Sequence, residues 1–131
     1  MEAKTLIAIV EDDDSVRESL SGLIESVGLA AISFESAEEY IRSGQVRNTA
    51  CAVLDIRLGG MSGLDLQRHL GATESRVPIV FISAHADPMT RAEALSGGAV
   101  TLLMKPFSEE ELLEALRIAL ARSEMNNPGP N

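Results

Sequence analysis

The chain has 131 residues, the common size of one folding domain, and 45% of them are apolar, enough for a buried core. Its net charge of −9, from 20 acidic against 11 basic residues, repels nucleic acid and anionic membrane surfaces and favours cations and basic partners. No apolar run approaches the roughly 20 residues of a membrane span, and the opening MEAKTLIAIVEDD lacks a secretory pattern. The expected location is therefore the cytoplasm, with no nucleic-acid binding by this chain.

The first apolar run, Leu6–Val10, reads as a strand and ends in four consecutive acids, Glu11 to Asp14. A helix follows, carrying Val16, Leu20, Leu23, Ile24 and Val27, with Asp14 or Ser15 as its cap. The run Leu29–Phe34 predicts a second strand, and Ser36 with Glu39 has capping-box spacing for a second helix. The third run, Cys51–Leu54, ends at Asp55; Ser62 with Asp65 is a weaker start signal for a third helix. Val77–Ile82 predicts a fourth strand ending at Ser83, and Pro88–Ser96 a helix closed by Gly97 and Gly98. Val100–Met104 predicts the fifth strand, followed by Lys105 and Pro106. Ser108 with Glu111 then starts a last helix, striped by Leu112, Leu113, Leu116 and Leu120 and running to about Arg122. Residues 1–123 read as one domain, and 124–131, polar and rich in breakers, as a flexible tail or the start of a linker.

The first, third and fourth runs lack polar alternation, as expected of strands covered on both faces. Strand then helix, five times over, predicts an α/β fold with helices on both sides of one parallel sheet. Aromatics are limited to Phe34, Phe81, Phe107 and Tyr40, so the core is aliphatic. Cys51, the one cysteine, permits no intramolecular disulfide and reads as a small buried hydrophobe.

In open α/β sheets, ligands bind beyond the carboxyl ends of the strands. Those ends offer Glu11 and Asp12, Asp55, Ser83 and Lys105. Carboxylates gathered at one end of a sheet are costly unless positive charge lies between them, and a hard cation with oxygen ligands answers that need. A carboxylate, a cation, an ammonium and a hydroxyl around one point make a phosphoryl-transfer site, with Asp55 the most plausible nucleophile in the absence of a competing thiol or phosphate loop. Taken singly, each has a plainer reading: acids after the first strand can cap a helix, Asp55 can sit in a turn, and Lys105 can be a solvated charge.

The segments IAIVEDDDSVRESL, VLDIRLGGMSGLDLQRHL, IVFISAHAD and AVTLLMKPF, in that order, give a resemblance to the receiver domains of bacterial two-component response regulators, spanning about Thr5 to Ala121. RLGGMSGLDLQ and ISAHADPMTRAEAL make it most similar to the receivers of nitrogen-fixation-type regulators. The resemblance implies a flavodoxin-like (βα)5 three-layer sandwich with strand order 2-1-3-4-5. It implies that Asp55 accepts the phosphoryl group. Magnesium, or manganese in its stead, is then held by Glu11, Asp12, Asp55 and the Arg57 carbonyl. Ser83, the Ala84 N–H and Lys105 bind the phosphoryl oxygens, and the bond before Pro106 is cis. Ser83 and Leu102 occupy the switch positions, while Arg57 and His85 flank the path of the hydrolytic water and tune the lifetime. The implied partners are a sensor histidine kinase or histidine phosphotransfer protein, a downstream effector, and a second copy through the face of the fourth helix, fifth strand and fifth helix.

Two departures from the family pattern stand out. Gly59 and Gly60 replace a proline after Leu58, which predicts a less constrained loop, and Leu102 replaces an aromatic ring. Two rival readings compete with this one: a magnesium-dependent hydrolase using Asp55, and a receiver-like module that only binds partners. The hydrolase commonly needs a second aspartate two residues on, where this chain has Arg57; the binding module typically lacks one of the site residues, and none is lost here.

Overall fold

A computed structural model describes residues 4–73 and 75–126. Five strands form one parallel sheet in the order β2-β1-β3-β4-β5. They are β1 (Leu6–Val10), β2 (Ala30–Phe34), β3 (Cys51–Asp55), β4 (Ile79–Ser83) and β5 (Thr101–Met104). Between and after them run α1 (Asp14–Ser26), α2 (Ala37–Arg42), α3 (Gly63–Ala72), α4 (Pro88–Ser96) and α5 (Glu109–Asn126), with a short 3-10 turn at Val46–Asn48. This is the flavodoxin-like (βα)5 sandwich.

The three central strands are almost wholly buried and the edge strands β2 and β5 are not, which is why only the central runs read as uninterrupted apolar sequence. Strand residues alternate between two aliphatic cores. Ala8, Val10, Ala52, Leu54 and Phe81 pack with Leu66, Leu70 and Ala94 under α2, α3 and α4. Ile7, Ile9, Val53, Val80 and Ile82 pack with Leu20, Ile24, Leu112 and Leu116 under α1 and α5. Each fully buried aliphatic side chain contributes about 1.5–3 kcal/mol.

The helix starts follow the side-chain signals, with one shift. Asp13, not Asp14 or Ser15, caps α1, accepting the Val16 N–H at 3.0 Å. Ser62 and Asp65 form a complete capping box at α3, stronger than their sequence suggested, and Ser108 and Glu111 exchange the same pair of bonds at α5. The last helix continues past Arg122 to Asn126. Ser123, Glu124 and Met125 tolerate helix, which lets α5 run on. Residues 127–131 of the expected tail lie outside the described residues.

Candidate phosphoryl-transfer site

The sheet register brings the site together. Val10 lies beside Leu54, and Asp55 beside Ile82, so the residues that follow β1 and end β3 meet above adjacent strands. The Lys105 N–H donates to the Ser83 carbonyl at 2.7 Å, which fixes the start of the β5–α5 loop against the end of β4. The peptide bond between Lys105 and Pro106 is cis.

The Lys105 ammonium donates to Glu11 Oε1 at 2.6 Å and to Asp55 Oδ2 at 3.0 Å. Glu11 is 1% exposed and Asp55 5% exposed. The other oxygens of these carboxylates are also engaged: Asp55 Oδ1 accepts the Arg57 N–H at 3.0 Å and Glu11 Oε2 the Asp13 N–H at 3.1 Å. Burial pushes the Glu11 carboxyl up to about 6 against the lowering effect of Lys105, and the charge of Asp55 adds to the rise. Burial alone would lower the Lys105 ammonium, but its bonds to Glu11 and Asp55 outweigh that and raise it.

One carboxylate oxygen each from Glu11, Asp12 and Asp55 lies within 4.8 Å of the others. Three carboxylates against the one ammonium leave two negative charges in the cluster. That surplus, hard oxygen donors and an exposed Asp12 beside two buried partners fit a small divalent cation which keeps part of its water shell.

Not every expected residue points into this pocket. The Ser83 hydroxyl donates to the His85 carbonyl at 2.8 Å and accepts the His85 N–H at 3.1 Å, so it is tied into the β4–α4 loop. Ala84 and His85 are exposed at that loop, as is Arg57 after β3. Leu102 is buried in the core beneath α2, α3 and α4. The structure also adds a residue that sequence reasoning missed. Arg17 donates to the Glu11 carbonyl at 2.9 Å and pairs with Asp14 and Glu35, clamping the chain as it leaves β1. A basic residue one helical turn beyond four acids was the available signal.

A doubly wound sheet with a lysine-bridged acidic cluster at its carboxyl edge defines a class: metal-dependent domains that take a phosphoryl group onto a carboxylate. Comparison with known proteins narrows this. The chain belongs to the response regulator receiver domain family, whose profile matches residues 7–117. It is 48% identical over 120 residues to nodulation protein W of Bradyrhizobium diazoefficiens, covering 91% of this chain and 52% of that protein. The solved response regulator StyR superposes with a TM-score of 0.87 at 41% identity, over 95% of this chain and 63% of that one. The FixJ-N structure does so at 0.82 and 33%, over 92% and 96%. The chain thus spans about half the length of the curated relative it matches.

It is a bacterial two-component receiver domain, a magnesium-dependent phosphoacceptor of a phosphorelay. Such a domain assists its own phosphorylation and dephosphorylation and is consumed in each cycle, so it is not a turnover enzyme. No helix among the described residues is long and apolar enough to cross a membrane.

Proposed function

We propose that Asp55 is the phosphoacceptor, served by Glu11, Asp12, Lys105 and Ser83. The observation that carries this reading is the Lys105 ammonium bridging the buried Glu11 and Asp55 carboxylates within 3.0 Å. An Asp55 carboxylate oxygen attacks the phosphorus of a phosphohistidine in line; the P–N bond breaks as the acyl–phosphate bond forms. Lys105 exchanges its carboxylate partner for a phosphoryl oxygen and neutralises charge there. The Ser83 hydroxyl leaves the His85 backbone and, with the Ala84 N–H, binds the transferred group. Magnesium, or manganese, supplies electrostatic stabilisation of the phosphoryl oxygens, held by Glu11, Asp12, Asp55 and the Arg57 carbonyl. Water later breaks the acylphosphate, with the exposed Arg57 and His85 side chains tuning its approach.

The phosphodonor is a sensor histidine kinase or histidine phosphotransfer protein. A cleft of about 540 Å³ lined by Val16, Leu20, Leu23, Pro106 and Phe107 borders Lys105, contiguous with the site, and suits such a donor. Output runs through Ser83 and Leu102 to the α4–β5–α5 face, where Met89, Leu95, Met104 and Ile118 are exposed. An effector or a second copy docks there. With Leu102 in place of a ring, the signal travels by the Ser83 loop and packing rather than by side-chain rotation. Similarity to nodulation protein W favours a nitrogen-fixation-type regulator; StyR is more similar to this chain than FixJ-N is. On this reading the chain is cytoplasmic and the receiver runs from β1 through the end of α5 at Asn126.

The test is intact mass after incubation with magnesium and acetyl phosphate, wild type beside Asp55→Asn. A metal-dependent gain of one phosphoryl group in wild type alone is expected. No adduct under conditions that label a control receiver overturns the reading.

A further inference from the structure

We propose that Glu38 is a positioning residue for phosphoryl acceptance: reaching from α2, its carboxylate fixes the β3–α3 loop that carries Arg57 beside Asp55. This rests on the reading of Asp55 as the acceptor. The loop is well anchored at both ends. Arg57 donates to Asp55 Oδ1, the Ile56 N–H to the Ile82 carbonyl at 3.1 Å, and the Gly63 N–H to the Ile56 carbonyl at 2.9 Å. Between those anchors lie Gly59 and Gly60, where the chain is intrinsically loosest.

At that loose centre, Glu38 Oε2 accepts the Met61 N–H at 2.9 Å across 23 positions of sequence. Among the described residues it is the one side chain from a distant segment bonded to the loop backbone. The contact is close as well as polar. Gly60 has φ +75°, and a Cβ built on it would lie 2.6 Å from the same Oε2. The backbone angle favours glycine there, and any side chain would push the carboxylate aside. The Met61 bond, foremost among several causes, lowers the Glu38 carboxyl below the usual glutamate range, so the tether is ionised at neutral pH. A carboxylate from the neighbouring helix does here what a rigid residue would do within the loop: it limits the conformations from which Arg57 can meet Asp55.

Three variants test this: Glu38→Ala removes the acceptor, Glu38→Gln keeps an acceptor oxygen, and Gly60→Ala displaces the carboxylate from the other side. Met61 amide exchange, magnesium affinity and the initial rate of labelling by acetyl phosphate are read together with melting temperature. Glu38→Ala is expected to speed Met61 exchange and weaken both magnesium affinity and labelling by roughly fivefold, the scale of one ordinary net hydrogen bond. Glu38→Gln should stay within about twofold of wild type on that scale, and Gly60→Ala should match Glu38→Ala. A Glu38→Ala protein that melts earlier yet keeps wild-type affinity and rate overturns the proposal, as does a Gln variant as impaired as Ala. An unlabelled wild-type chain would instead overturn the role of Asp55, while Met61 exchange and magnesium affinity would still decide the role of Glu38.

Discussion

Polar side chains are buried at both ends of the sheet, and the two ends treat them in opposite ways. Ahead of β3, the Tyr40 hydroxyl meets the Thr49 hydroxyl at 2.6 Å, and Thr49 donates on to the Val46 carbonyl at 2.8 Å. That chain of bonds is neutral and closed; nothing further is needed. Beyond the other end of β3, every buried side-chain polar atom among the described residues also has a partner, yet the cluster carries surplus negative charge. The first arrangement adds stability. The second withholds it until a cation and a phosphoryl group arrive, which suits a switch.

The comparison is broken most forcefully at Lys105. Lys105→Met leaves Glu11 and Asp55 facing each other without an ammonium. Removing one partner of a fully buried pair costs about 3–5 kcal/mol; with Lys105 22% exposed, solvent screening reduces this to about 2 kcal/mol. Urea unfolding at neutral pH without metal should show that loss, and added magnesium should recover most of it.

Asp55→Asn sharpens the contrast from the other side. Magnesium at a hundred times its Kd should stabilise wild type by about 2.7 kcal/mol, and the variant by less than half of that, in melts with and without metal. Substitutions around Tyr40 should leave this metal response unchanged.

At the closed end, burial pushes the Tyr40 phenol up to about 12 from 10.0. The folded phenol holds its proton more tightly than the unfolded one. Its contribution is complete below about pH 10 and disappears as pH rises through about 12. Tyr40 is the one tyrosine and there is no tryptophan, so phenolate absorbance reads this group directly in folded and unfolded chain. Tyr40→Phe should cost about 1 kcal/mol in urea and leave magnesium affinity untouched.

The smallest effect is chemical. Cys51 is fully buried and burial pushes its thiol up to about 12. At pH 8 it should resist iodoacetamide in native protein and react fully in denaturant, followed by mass. Fast native labelling would mean that the core under α1 and α5 opens far more readily than its packing implies.

The three central strands were legible because uninterrupted apolar runs mark strands covered on both faces, the two edge strands as apolar runs between helix signals, and Glu11, Asp12, Asp55 and Lys105 because they stand at strand ends. Arg17, Glu38 and the Tyr40–Thr49 pair were not. Arg17 had only its place one turn beyond four acids as a signal, while Glu38 and the Tyr40–Thr49 pair act through contacts that no local pattern encodes; the Glu38–Met61 bond in particular joins segments that only the finished fold makes neighbours. The double glycine announced a loose loop, and its tether was invisible because it belongs to another helix. Ser83 was placed correctly along the chain, but its attachment to the His85 backbone depends on a loop conformation that composition does not dictate.

Gly63 opens α3 with its backbone against the end of β3; a Cβ there would lie 2.5 Å from the Asp55 carbonyl and 2.9 Å from the Ile56 Cα. No side chain fits, and the atoms in the way are backbone, which cannot swing aside. The helix and β3 are in effect one casting. Under the proposed role of Asp55, displacement there would find no play on the α3 side, whereas the Ser83 loop beyond β4 is held only by the two hydrogen bonds to His85. One missing methyl group thereby gives the domain a wall that cannot yield.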